Sequence, residues 1–274
     1  MCTVCGCEAS SKPKHADEII REDRNFGLGE AGVSIPGYSQ ERLIKIEQDI
    51  LSKNNRYASA NRRWFNEHQF LTLNLLSSPG GGKTTLLRET LKNLKAKISI
   101  GVIEGDQATA NDADKIRALG VPAIQINTGK ACHLDAHMIS HVLNDLKIKP
   151  GGILFIENIG NLVCPAAFDL GESCKVVIFS VTEGEDKPVK YPDIFSAADL
   201  VVFTKIDLLP HLDFDLDRAI EYSRQVNGDL DFIKLSAKSG VGLLEWQEWI
   251  LAHHQVLKSK TASNANQHKA HSNA

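Results

Sequence analysis

The stretch SSPGGGKTTLL, residues 77 to 87, places three glycines directly before a lysine and two threonines. Gly80, Gly81 and Gly82 let backbone come close to a ligand, and successive N–H groups turned inward at a helix start make a nest for an anion. Lys83 adds a point charge for phosphates, Thr84 offers a hydroxyl to Mg2+, and Thr85 follows in the same turn. This is phosphate-binding chemistry, in a variant form, because Ser77 stands where the usual pattern has its first glycine. Softer chemistry opens the chain. MCTVCGC supplies three thiols, Cys2, Cys5 and Cys7, and loss of Met1 ahead of a small side chain would expose an amine. Three sulfurs and a nitrogen in one plane suit Ni(II), and a tetrahedral Zn2+ site with an outside ligand or a redox-active thiol tail are the alternatives.

Two further groups extend these clusters. Glu157, at the end of the apolar run ILFIE, and Asp106, in VIEGDQAT, are carboxylates at strand ends, where each can hold Mg2+ and sense a terminal phosphate; Lys83, Asp106 and Glu157 are therefore the candidate catalytic residues. Glu104 is a third candidate for the metal, on a par with a solvated loop acid. Cys132 and His133 follow the run AIQIN, and Cys164 lies seven residues past Glu157, so all three belong at the same edge of a parallel sheet as the phosphates. They make a second candidate metal site with an open position, for Ni2+ or Zn2+; burial of the thiols as small hydrophobes and capping by His133 is the plainer alternative. His137 and His141 read as a solvated or packed helical face, Cys174 as core, and His253, His254, His268 and His271 as weak metal buffers at most.

These residues need a scaffold, and the sequence supplies one. Seven apolar runs, LTLNLLS, KISIGVIEG, VPAIQIN, GGILFIEN, CKVVIFSV, DLVVFTKID and DFIKLSA, alternate with helical patterns, which predicts an α/β fold with a mostly parallel sheet flanked by helices. An amphipathic lead-in helix precedes it from Gln40 to about Gln69. The expected organisation is a metal-binding motif over residues 1–7, a glycine- and proline-broken linker over 8–39, a nucleotide-binding domain over 40–257, and a polar, disordered tail over 258–274. The linker would make the cysteine cluster a tethered hand. A net charge of −3 over 274 residues draws the chain to neither nucleic acid nor an anionic membrane. No apolar run approaches the roughly 20 residues that span a bilayer, and no basic-then-apolar leader opens the chain, so the expectation is cytoplasmic. A reducing compartment and the wide spacing of the remaining cysteines argue against a disulfide framework.

The segments VVFTKIDLL and KLSAK resemble the Asn-Lys-x-Asp and Ser-Ala-Lys elements by which GTPases hold guanine, with Lys205, Asp207, Ser236, Ala237 and Lys238 in the matching places. Thr204 replaces the asparagine and lacks an amide's paired donor and acceptor, which leaves room for relaxed guanine selectivity. Together with MCTVCGC, SSPGGGKTTLL, VIEGDQAT, TGKACHLDAH, ENIGNLVCP and LSAKSGVG, these elements make the chain resemble the hydrogenase nickel-incorporation GTPases, the HypB family, over most of its length. The resemblance implies a P-loop architecture and GTP hydrolysis with Mg2+. It further implies a homodimer carrying the Cys132, His133 and Cys164 site at its interface, and Ni2+ delivery to a [NiFe]-hydrogenase large-subunit precursor alongside accessory proteins. Slow turnover fits, since no arginine is placed as a finger. A urease-type nickel-delivery GTPase, or a nickel or zinc buffer with a structural nucleotide site, is the alternative reading.

Overall fold

The structure, a computed structural model, describes residues 30–271, with backbone alone for 260–271. Cys2, Cys5, Cys7 and residues 8–29 of the expected linker lie outside the described residues. The chain divides into two units, Met1–Lys53 and Asn54–Ala274. In the first, residues 30–39 form turns and irregular chain up to the start of helix α1 (Gln40–Glu67). There Gln40 holds the incoming turn, accepting from Ala31 N at 2.9 Å and donating to Val33 O at 2.9 Å.

All seven apolar runs become strands: β1 (Leu71–Ser77), β2 (Ile100–Asp106), β3 (Ala123–Asn127), β4 (Ile153–Glu157), β5 (Cys174–Ser180), β6 (Leu200–Thr204) and β7 (Asp231–Lys234). They form one sheet in the order β3-β2-β4-β1-β5-β6-β7, with every pairing parallel. Parallel neighbours need crossovers, and helices α2 (Lys83–Leu94), α3 (Asn111–Arg117), α4 (Ala136–Val142), α5 (Lys187–Lys190), α6 (Pro192–Ser196), α7 (Leu216–Val226) and α8 (Leu243–His271) lie between or after the strands. Strands β1, β4 and β6 are buried at every position; β4 and β6 are accordingly apolar runs without alternation, while β1 buries Thr72 and Asn74 between its leucines.

On one face Leu86, Leu87 and Leu91 of α2 pack with Trp246 and Ile250 of α8 over Leu73 and Phe155. The Trp246 indole finds its partner inside, donating to Thr90 Oγ1 at 2.8 Å. On the other, Asn61 of α1 donates to Ala136 O at 2.8 Å and Leu170 O at 3.0 Å, and Asn54 Oδ1 accepts from Ala136 N at 2.9 Å, so buried asparagines fix the start of α4. Helix α8 runs to His271: no glycine or proline follows Gly242, and residues such as Lys258, Ala262, Ala265 and Lys269 favour a helix. Among the described residues, no helix is long and apolar enough to cross a membrane.

Candidate functional site

The carboxyl ends of β1, β2 and β4 open onto a cleft of about 650 Å³ lined by Pro79 to Thr85, Glu104 to Gln107, Asp112, Cys132 and Glu157. Parallel strands bring their C-terminal ends to one edge, and the loops there are free of ladder duties. Gly80 and Gly82 adopt φ of 73° and 98°, left-handed values that suit glycine and let the loop curl before α2 begins. Gly82 caps that helix without a side chain, leaving its first N–H groups for a ligand.

The departure at Ser77 has a use. Lys83, 8% exposed, donates from Nζ to Ser77 Oγ at 2.7 Å, so the loop lysine rests on the residue that replaces glycine. Burial lowers its pKa, and the carboxylates of Glu157, Glu104, Glu183 and Asp112 oppose that shift. Beside it, Thr84 Oγ1 donates to Glu157 Oε1 at 2.6 Å. Glu104 and Glu157 are register partners on neighbouring strands, so their side chains leave the same face of the sheet. Burial and the facing Glu157 push Glu104 up to about 10, and burial raises Glu157 as well. Neither Glu104 Oε2 nor Glu157 Oε2 has a protein donor, so a shared proton or a cation must serve them.

Asp106 lines this cleft, but its carboxylate, partly buried, accepts from the Thr109 hydroxyl, Gln107 N at 2.7 Å and Thr109 N at 3.1 Å, and these bonds hold its pKa down. A carboxylate not singled out from the sequence reaches the threonine. Thr84 Oγ1 lies 3.4 Å from Asp112 Oδ2, on the first turn of α3. The available signal was an acid at a helix start just after a strand end, which is common enough to pass unremarked. The donor set of Thr84 hydroxyl, Glu157 and Asp112, with two orphaned carboxylate oxygens, is all oxygen and suits Mg2+.

A smaller cavity of about 200 Å³ adjoins Gly82 and Thr85 and is lined by Thr204, Lys205, Asp207, Leu208, Ser236, Ala237 and Lys238. The two base elements predicted from sequence thus meet in space, since β6 and β7 are neighbours. Thr204, 3% exposed, donates from Oγ1 to Gly81 O at 2.7 Å, and Lys205 donates from Nζ to Gly80 O at 2.8 Å. The threonine therefore ties the base-side strand to the phosphate loop, a task a hydroxyl performs as well as an amide.

Cys132, His133 and Cys164 also converge, their ligand atoms all within 4.8 Å of one another and all partly buried. Bonds of 2.0–2.3 Å to one metal would need them to close by about 1 Å. The first two sit in the loop before Asp135, which caps α4 by accepting from Met138 N at 2.7 Å, and Cys164 begins a 3-10 turn, Cys164–Ala167. The His133 ring leans on Phe168 at 4.1 Å, and burial lowers its pKa despite Asp135, which favours the neutral form a metal needs. His137 and His141 are exposed with Nε2 atoms 2.9 Å apart, and Cys174 is buried, its thiol pushed up to about 12 by burial. His254 is buried and bonds Gly151 O at 2.8 Å, so it belongs to the packing of α8.

A parallel sheet in this order, a phosphate loop between β1 and α2, and a separate base pocket define a P-loop GTPase. Residues 71–234 match the CobW/HypB/UreG nucleotide-binding domain family. The chain is 53% identical to the hydrogenase maturation factor HypB of Azotobacter vinelandii, with 91% of each chain covered, and 56% identical to that of Escherichia coli, covering 83% of this chain and 79% of the other. The crystal structure of HypB from Helicobacter pylori in complex with nickel is 36% identical with a TM-score of 0.71, over 74% of this chain and 95% of that one. The chain belongs to the HypB family of hydrogenase maturation factors.

Proposed function

We propose that this GTPase is a nickel chaperone for [NiFe]-hydrogenase, in which the nucleotide in the cleft governs metal held at Cys132, His133 and Cys164. One observation carries the reading: Cys132 belongs both to the soft-ligand group and to the wall of the phosphate cleft. Two sulfurs and an imidazole leave an open position, which suits a metal that must be passed on rather than kept.

In this reading Lys83 leaves Ser77 for the β- and γ-phosphates, the N–H groups of residues 80–85 cradle them, and Asp207 accepts from the guanine edge while Lys205 covers the ring and the Ser236–Lys238 turn closes the pocket. Thr84 and Glu157, with Asp112 and Asp106 at the rim, would hold Mg2+, which would supply positive charge against the phosphates. Water attacks the γ-phosphorus, the bond to the bridging oxygen breaks, and GDP and phosphate leave. Turnover is slow and regulatory. Ni2+ is cargo: the Cys2, Cys5 and Cys7 cluster takes it up on its tether over residues 8–39, and the internal site, shared with a second copy in a homodimer, hands it to the large-subunit precursor together with accessory proteins. A tenfold change in metal affinity between nucleotide states requires only about 1.4 kcal/mol of coupling.

The test is Ni2+ titration of the full chain with Cys2, Cys5 and Cys7 replaced by alanine, in GDP and in a non-hydrolysable GTP analogue, beside maturation of a [NiFe]-hydrogenase precursor in cells lacking the native factor. Equal affinities in the two states, with no restored hydrogenase activity, would refute the reading.

A further inference from the structure

The four residues Asn158 to Asn161, which leave β4 directly after Glu157, touch both the phosphate loop and the metal-ligand loop. Gly160 lies against the phosphate loop so closely that a Cβ there would stand 2.8 Å from Pro79 Cα and 2.9 Å from Pro79 N. On its two sides, asparagines reach the other way. Asn158, 2% exposed, accepts at Oδ1 from Leu134 N at 3.0 Å, and Leu134 follows His133 immediately. Asn161 donates from Nδ2 to Cys132 O at 3.3 Å while its Oδ1 accepts from Val163 N at 2.8 Å, one residue before Cys164.

The orientation of Asn158 is fixed from behind. Its Nδ2 donates to Asn74 Oδ1 at 3.4 Å, and Asn74 in turn donates to Glu172 Oε1 at 3.0 Å, so the oxygen of Asn158 must face Leu134 N and its own neighbour Ile159 N, 2.9 Å away. Turning the amide would strand buried donors. The Leu134 side chain closes the circuit, because it packs on Gly105 of β2 so tightly that a Cβ there would stand 2.8 Å from Leu134 Cδ1. The Cys132–Leu134 stretch is therefore held at three points, two by the segment that leaves β4 and one by Gly105 of β2.

From this we infer that Asn158 and Asn161 are positioning residues that transmit the state of the phosphate cleft to the Cys132, His133 and Cys164 group. A γ-phosphate in the cleft that Pro79 and Gly160 both line shifts the segment, Asn158 carries the shift to Leu134 and so to His133, and Asn161 carries it to both cysteines. Neither asparagine ligates the metal. The inference rests on the proposed nucleotide control of metal affinity.

The experiment uses the full chain with Cys2, Cys5 and Cys7 replaced by alanine, as parent and with Asn158→Ala or Asn161→Ala. Each is titrated with Ni2+ in GDP and in a non-hydrolysable GTP analogue, and the quantity read is the ratio of the two affinities. A merely structural role would weaken metal equally in both states and leave that ratio alone. We expect a parent ratio of about fivefold or more, falling below about twofold in each variant, with one Ni2+ still bound per chain. A parent ratio of one overturns the nucleotide-control reading and the inference with it. A parent ratio retained by the variants overturns the asparagine link alone. Should Asn158→Ala fail to fold, the less buried Asn161→Ala decides by the same criterion.

Discussion

The phosphate loop and the Cys132, His133 and Cys164 group face one cleft, yet they are built differently. The loop is anchored at both ends in regular structure, between β1 and α2, with Lys83 buried and Thr204 and Lys205 bonded to its carbonyls. The two cysteines and the histidine come from two loops, stay partly buried, and lean on asparagine bonds and on the ring contact of His133 with Phe168. A site that must present the same N–H groups at every turnover gains from backbone rigidity. A site on loops, held by fewer bonds, can shift more easily than one on regular structure.

The largest effect should come from the rigid end. Lys83→Ala removes the buried counter-charge of the phosphates and should lower GTP hydrolysis about 100-fold or more with little change in melting temperature. Phosphate release within tenfold of the parent would mean the loop does not do phosphate chemistry. Next, Cys164→Ala in a chain lacking Cys2, Cys5 and Cys7 should weaken Ni2+ at least about tenfold while metal-free GTP affinity stays as it was. If both fell together, the two ends would not be separable in the way their anchoring implies.

Asp207→Asn sharpens the comparison within the nucleotide site. Replacing an acceptor by an amide should move base preference from GTP toward xanthosine triphosphate by roughly tenfold, read as the ratio of the two KM values. An unmoved ratio would place base reading elsewhere than the pocket between β6 and β7.

The smallest effect is on stability. Glu104 is held near 10 by burial and by Glu157, far above its ordinary 4.5, so the folded, nucleotide-free protein keeps a proton that the unfolded chain releases. The stability tied to that proton is present in full below about pH 4.5 and is lost as pH rises toward 10. The melting temperature of nucleotide-free protein should therefore decline between pH 5 and 9, and Glu104→Gln should flatten that decline by a few degrees. An identical slope in the variant would show that Glu104 does not carry the pH dependence.

Sequence alone fixed much of this protein. The seven strands were legible because a strand buried on both faces must be a short apolar run, and the phosphate loop because its chemistry lies in contiguous residues whose backbone does the binding. Cys132, His133 and Cys164 could be nominated because parallel strands deliver their loops to one edge. Only the tertiary structure decided the rest. That Asp112 comes within 3.4 Å of Thr84 depends on how α3 turns after β2, and the facing of Glu104 and Glu157 depends on strand register. That Thr204 holds the phosphate loop depends on β6 lying beyond β5 from β1. The asparagine bonds from Asn158 and Asn161 join residues 24 and 29 positions apart. Pairings over such distances carry no local signal, because hydrogen-bond geometry is set by where loops meet and not by which residues are neighbours in the chain.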